Sequence, residues 1–367
     1  MSSPSDIMPD GPDTPNEPAR TLSYVDAIRE ALDQEMTADE RVFVMGLDVD
    51  DHKAIQGSTR GLLEKHGSDR IFTTPLSEDA MTGVAIGAAM AGLRPIHVHI
   101  RMDFLPLCAN QLINMAAKSH YMFGGAVKVP MVVRSIIGKS WGQGPQHSQS
   151  LYSLFAHIPG LIIVAPSNAH DAKGCMISAI RNDNPVLFVE HRMLYYTRAF
   201  VQEAPFEQTL GKARVCATGD DITIVGISNM VVECLRVREM LEHAGISSEV
   251  IDPISLAPLD METILQSARR TGRLLIVDNA WTSCGMSAEI AARAVESLHP
   301  GEHVAVQRMG FAPVTCPTTS SLEKVFYPSP TTISQKAYAM VRPGNLGWQP
   351  KPEQAELAYQ KVFKGPF

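Results

Sequence analysis

Cysteine is scarce and scattered in this chain of 367 residues: Cys108, Cys175, Cys216, Cys234, Cys284 and Cys316 form no C-x-x-C pair. That pattern excludes a disulfide framework and a zinc signature, and it suits reduced thiols in a cytoplasm. Runs of lysine and arginine are missing and the net charge is −7, which excludes nucleic acid as a partner class. No segment reaches the roughly 18 uninterrupted apolar residues that a membrane span needs. The first twenty residues hold Pro4, Pro9, Pro12, Pro15 and Pro18 but no apolar core of a signal peptide, and 1–20 reads as a disordered tail. No G-x-G-x-x-G follows a strand and no G-x-x-x-x-G-K-[ST] occurs, so dinucleotide and P-loop sites are not indicated. H-E-x-x-H and G-x-S-x-G are absent too, which removes the common zinc-protease and serine-hydrolase signatures.

What is present is an ordinary globular composition, 45% apolar and 19% charged, in a chain too long for one simple core. From Thr21, short apolar runs such as "RVFVMG", "RPIHVHI", "VPMVVRSII", "LIIVAP" and "PVLFVEH" alternate with helical segments. Strands without polar alternation are buried on both faces, which predicts a parallel sheet in an α/β layer fold. The rhythm lapses after residue 195 and resumes with "DDITIVGIS". The expected organisation is an N-terminal domain over 21–195, a linker over 196–218, a smaller α/β domain over 219–341 and a tail over 342–367.

Three clusters carry chemistry. Glu78 and Asp79 open a helix of small residues, "EDAMTGVAIGAAMAG", at a strand end where ligands of parallel sheets bind. Acids at a helix start also complement the dipole while staying in water, so the position alone leaves both readings open. The loop "GKSWGQGPQHSQS" places His147 after a buried strand, either as a proton donor or as a solvated loop histidine. In "HVHIR", period-two geometry puts His97, His99 and Arg101 on one strand face beside Asp103. Three potential cations there suit an anionic substrate group, and a structural Arg–Asp pair is the alternative.

The ordered set "TPLSED", "GAAMAGLRPI", "NQLINMAAKSHYMFGG", "VPMVVR", "QHSQS", "IPGLIIVAPSNAHDAKG" and "AIRNDNPV" resembles the beta subunit of 2-oxo acid dehydrogenases. The likeness continues through "GDDITIVGISNMVVECL", "AGISSEVIDPISLAPLD" and "TGRLLIVDN", covering roughly residues 21 to 340. It implies a transketolase-like fold, with 21–195 as the thiamine-diphosphate pyrimidine-binding domain and 219–341 as the C-terminal domain. It further implies that Glu78 hydrogen-bonds the cofactor's pyrimidine nitrogen and starts its activation, with Leu76, Ile100 and Phe104 lining that pocket. By the same resemblance His147 steadies the substrate, and His99 and Arg101 are the substrate residues of a divergent branch, since relatives carry Glu where Val98 stands. Potassium is implied at Met131, Ala179, Ile180, Asn182 and Asn184, largely through carbonyls. The family's diphosphate and Mg2+ motif sits on an alpha subunit, and "GDD" at 219–221 has no matching Asn pair downstream. An alpha2-beta2 heterotetramer is therefore implied, passing an acyl unit to lipoamide on an acyltransferase. The alternative is a free-standing transketolase-like or acyloin-forming pair that adds a two-carbon unit to a carbonyl or sugar.

Overall fold

A computed structural model describes residues 20–51, 54–139, 142–345 and 347–351. Of the two expected tails, 1–19 and 352–367 lie outside the described residues. The chain divides into two compact units. The first gathers the described residues up to Ile137 with Ser150–Leu210, and the second gathers Gly138–Gln149 with the chain from Gly211 onward.

In the first unit β1 (Val42–Gly46), β2 (Ile71–Thr73), β3 (Arg94–His99), β4 (Val132–Ile137), β5 (Ile162–Val164) and β6 (Val186–His191) stand in the order β5-β6-β4-β3-β1-β2. Every pair among them is parallel, with Val42 opposite Arg94, Ile96 opposite Val132 and Val132 opposite Val186. Burial of all six residues of β4 explains its unbroken apolar run. Its one charged member, Arg134, is wholly buried and must be compensated. Glu190 on β6 does this with a bidentate pair, Nε to Oε1 at 2.6 Å and Nη2 to Oε2 at 2.9 Å. The Tyr195 hydroxyl donates to the same carboxylate at 2.8 Å, and Arg134 Nη2 also donates to Ser58 Oγ at 2.9 Å. Burial opposes the guanidinium's charge, but Glu190 outweighs it and the pKa of Arg134 is raised.

Among the helices of this unit are α1 (Tyr24–Ala38), α2 (Glu78–Met90), α3 (Ala117–Met122) and α4 (Ala169–Arg181). Ser23 and Asn168 cap α1 and α4 by accepting from the amides of Asp26 and Asp171. The stretch from 102 to 122 runs as a 3-10 turn, a π turn and then α3. Pro106 lies in the first of these and has no N–H to continue an α ladder. Lys173 on α4 has its side chain buried and donates to Glu30 Oε1 at 2.7 Å. The same ammonium also donates to the carbonyls of Gln202, Glu203 and Ala204, at 2.8, 2.8 and 3.2 Å. The stretch expected as a linker is thus partly structured. Arg198–Phe200 pairs antiparallel with Thr21–Ser23, and Arg214–Ala217 is a strand of the second unit.

The second unit holds β7 (Arg214–Ala217), β8 (Ile222–Gly226), β9 (Ser248–Asp252), β10 (Arg273–Trp281) and β11 (Ala305–Phe311) in the order β11-β10-β8-β9-β7. Only the edge pairing of β7 with β9 is antiparallel. Its helices are α5 (Asn229–Glu242), α6 (Met261–Thr271), α7 (Met286–Glu296), α8 (Ser320–Phe326) and α9 (Pro330–Val341). Asp260 caps α6, which ends on Gly272 in the left-handed region.

Candidate active site

The two carboxylates at the start of α2 have separate fates. Ser77 occupies the cap position without capping through its side chain. Asp79 takes over, its Oδ1 accepting from the Ala80 amide at 2.7 Å and from Ser77 Oγ at 3.4 Å. Glu78 is half-buried and makes no hydrogen bond or ion pair among the described residues. Its neighbourhood includes Thr82 and Cys108, which the sequence reading missed. Burial pushes the Cys108 thiol up to about 11 and the charges of Glu78 and Asp79 add to this, so it stays protonated and inert. Leu76, just ahead of the helix, is 73% exposed.

On β3 the rings of His97 and His99 meet edge to face, 4.3 Å between centroids, so the period-two face exists. Both are buried, and His99 Nε2 lies 3.4 Å from Thr82 Oγ1 on α2. Among the described residues neither ring nitrogen of His97 has a hydrogen-bond partner of good geometry, although the nearby Met45 backbone favours the charged ring. Desolvation lowers His97 to about 4 and takes His99 well below its ordinary value, with the His97 charge adding to the second shift. Of the three cations expected here only Arg101, two residues past the end of β3, is charged at neutral pH. Its own pKa is lowered by partial burial, against the pull of Asp103. Ile100 and Phe104 beside it are half-buried.

The unfolded pKa of a histidine, about 6.5, exceeds the folded value of His97, so the unfolded chain takes the proton first. Stability is complete above pH 6.5 and falls as pH drops toward 4, by about 3 kcal/mol from His97 alone. Urea unfolding across that window checks it: His97→Phe should flatten the slope, and an unchanged slope would refute the assignment.

His147 is half-buried in the second unit, its amide 3.5 Å from the Gly144 carbonyl. The five potassium positions gather at the start of β4 and the end of α4. Met131, Ala179 and Ile180 are buried, Asn182 is half-buried and Asn184 is exposed. The Ile180 and Asn182 carbonyls both accept from Arg94 Nη1, at 2.8 and 3.1 Å, and Asp183 pairs with Arg94 Nη2 at 3.0 Å. The Met131 carbonyl accepts from the Val186 amide, and the amide and Nδ2 of Asn184 donate to Asn182 Oδ1. Two of the carbonyls thus converge on a fixed cation, which a metal ion would have to share.

These residues fit one end of thiamine diphosphate better than the other. A half-buried carboxylate free of capping duty, on a helix packed against the 3-10 turn that carries the half-buried Phe104, suits a heteroaromatic ring. A diphosphate–metal end finds no counterpart: among the described residues no group of three His, Cys, Asp or Glu side chains could hold a metal ion. Asp220 and Asp221 of "GDD" are engaged structurally, with Arg270 and with the Ser247 amide.

Comparison with known proteins extends this picture. Residues 20–198 match the transketolase pyrimidine-binding domain and 211–333 the transketolase C-terminal domain. The chain is 39% identical over 336 residues to the beta subunit of acetoin:2,6-dichlorophenolindophenol oxidoreductase of Cupriavidus necator, covering 89% of this chain and 99% of that one. Against the pyruvate dehydrogenase E1 component subunit beta of Rickettsia bellii it is 39% identical over 308 residues, covering 84% and 95%. This chain belongs to the transketolase-like family of E1 beta subunits. Another member of the E1 beta family, the mitochondrial beta-1 subunit of Arabidopsis thaliana, is 39% identical over 314 residues, 84% of this chain and 86% of that one. The fold agrees with that of a split gene transketolase described as an inactive beta4 tetramer, with a TM-score of 0.68, 20% identity and coverage of 88% and 97%. A transketolase from Pichia Stipitis gives a TM-score of 0.63 at 16% identity, covering 98% of this chain and 50% of that one. Among the described residues, no helix of this E1 beta family member is long and apolar enough to cross a membrane.

Proposed function

We propose that this chain is the beta half of a thiamine-diphosphate-dependent 2-oxo acid dehydrogenase, working with an alpha subunit in an alpha2-beta2 tetramer. The observation that carries the reading is the division of labour at α2, where Asp79 caps the helix and the Glu78 carboxylate makes no hydrogen bond or ion pair among the described residues. When bound, thiamine diphosphate supplies the electron sink for decarboxylation. Glu78 holds and returns a proton at the pyrimidine nitrogen, a task that needs one carboxylate shielded from water. Phe104, Ile100 and Leu76 orient the ring and exclude solvent around it. Arg101, desolvated and permanently charged, receives the substrate carboxylate, with His99 as a neutral neighbour. His147 hydrogen-bonds the substrate oxygen.

Mg2+ and the diphosphate belong, in this reading, to the alpha subunit, which supplies the ligands that the described residues of this chain lack. Potassium is proposed at Met131, Ala179, Ile180, Asn182 and Asn184, where the charge of Arg94 opposes it. The acyl acceptor is lipoamide on an acyltransferase, and the compartment is the cytoplasm, in keeping with described cysteines that are all free.

Calorimetric titration with thiamine diphosphate and Mg2+ tests the shared site. Binding is expected for the chain co-purified with its alpha subunit and not for the chain alone. Tight binding to the isolated chain would overturn the partition. Product analysis with lipoamide and with aldehyde acceptors then separates the dehydrogenase from the acyloin-forming alternative.

A further inference from the structure

The loop that carries His147 leaves β4 of the first unit yet is built into the second, and its seat there is specific. Gly142 and Gly144 have φ of +68° and +69°, and a Cβ on either would collide with Thr318, at 2.4 Å from its carbonyl oxygen and 2.7 Å from its Cγ2. The loop backbone is therefore laid directly on residue 318, and both positions need glycine for conformation and for space. At the start of the loop, Lys139 is 9% exposed and its Nζ stands 4.8 Å from the centre of the Tyr327 ring. Two carboxylates face the same ammonium, Glu233 of α5 and Glu323 of α8. Tyr327 is held in turn by an edge-to-face cluster with Phe311 and Phe326, and its hydroxyl lies 3.3 Å from Cys316 Sγ. That hydroxyl also neighbours Ser148, the residue after His147.

We infer that the ammonium of Lys139 on the ring of Tyr327 anchors the 142–149 loop, making Lys139 a positioning residue for His147. A buried cation stacked on an aromatic face and flanked by carboxylates is a directional attachment, unlike a solvated lysine, and it holds one end of the loop while Thr318 holds the middle. The inference rests on the reading of His147 as a substrate contact. Its dependence on pH has a definite sign. Burial lowers Lys139 to about 8, with Glu233 and Glu323 opposing the shift, while Tyr327 is raised and stays neutral. Glu233 is itself raised by burial against the attraction of Lys139. Above pH 8 the ammonium loses its charge, the attraction to the ring lapses, and the loop loosens.

The test follows carbethoxylation of His147 in the full chain, read by peptide mass spectrometry and normalised to the exposed His243. Lys139→Met and Tyr327→Leu should each speed His147 labelling by about fivefold or more, as expected for a locally opened segment. Lys139→Arg should keep it within about twofold, because a guanidinium also sits on an aromatic face. The wild-type chain should show labelling that rises through pH 8, and Lys139→Arg should abolish that rise. In the assembled enzyme Lys139→Met should lower kcat by about ten- to a hundredfold, the cost of a misplaced group, with KM moving far less. Unchanged or slower labelling in either variant, or a flat wild-type profile, overturns the anchor. Should Lys139→Met fail to fold, Tyr327→Leu and the wild-type pH series decide the matter. A wild-type assembly inactive on every 2-oxo acid would overturn the functional reading instead, leaving the labelling to judge the anchor.

Discussion

Glu78→Gln is expected to lower turnover of the assembled enzyme by about two orders of magnitude or more while leaving assembly with the alpha subunit intact. Glutamine keeps the size and one acceptor of glutamate but cannot hold and return a proton. Because Asp79 satisfies the helix start, the exchange removes no cap and no ion pair among the described residues, so stability should change little. Decarboxylation followed with a dye acceptor gives the turnover, and size-exclusion chromatography gives the assembly. A loss smaller than about tenfold would be inconsistent with a positioned proton-transfer group. Asp79→Asn is the internal contrast, since an amide oxygen still accepts from the Ala80 amide and turnover should hold.

Glu190→Gln is expected to destabilise the first unit by about 3–5 kcal/mol. The Arg134 guanidinium and the Glu190 carboxylate are both fully buried, so neutralising one strands the other without solvent. The Tyr195 hydroxyl loses its charged acceptor at the same stroke. Chemical unfolding at neutral pH measures the effect. The double variant Arg134→Met, Glu190→Gln should recover much of it, because an uncharged pair no longer demands compensation. A single-variant loss under about 1 kcal/mol would mean that water reaches the pair.

The layered α/β architecture was legible because strands such as Val132–Ile137 are buried along their whole length and carry no polar alternation to hide them. The face shared by His97 and His99 followed from strand geometry alone, while Arg101 lies past the end of β3. Their protonation did not, because periodicity says which side chains share a face and not how much solvent that face sees. At α2 the sequence placed two acids at a strand-to-helix edge, but which of them caps the helix depends on a side-chain geometry that adjacent carboxylates do not encode. The seat of the His147 loop was the least legible feature. Its partners Glu233, Thr318 and Tyr327 lie far along the chain, and no local pattern links them to a glycine-rich turn after β4.

Lys173 shows how a segment without regular structure is nonetheless kept in order. Three successive carbonyls, those of Gln202, Glu203 and Ala204, point at one ammonium whose charge is balanced by Glu30 on a helix more than a hundred residues earlier. The stretch has no strand or helix of its own to unravel, so it does not fray in steps. Releasing any one of those carbonyls leaves the buried cation less satisfied, and α1 and α4 hold the cation in place. The backbone there is thus coupled to the packing of two helices through one buried side chain.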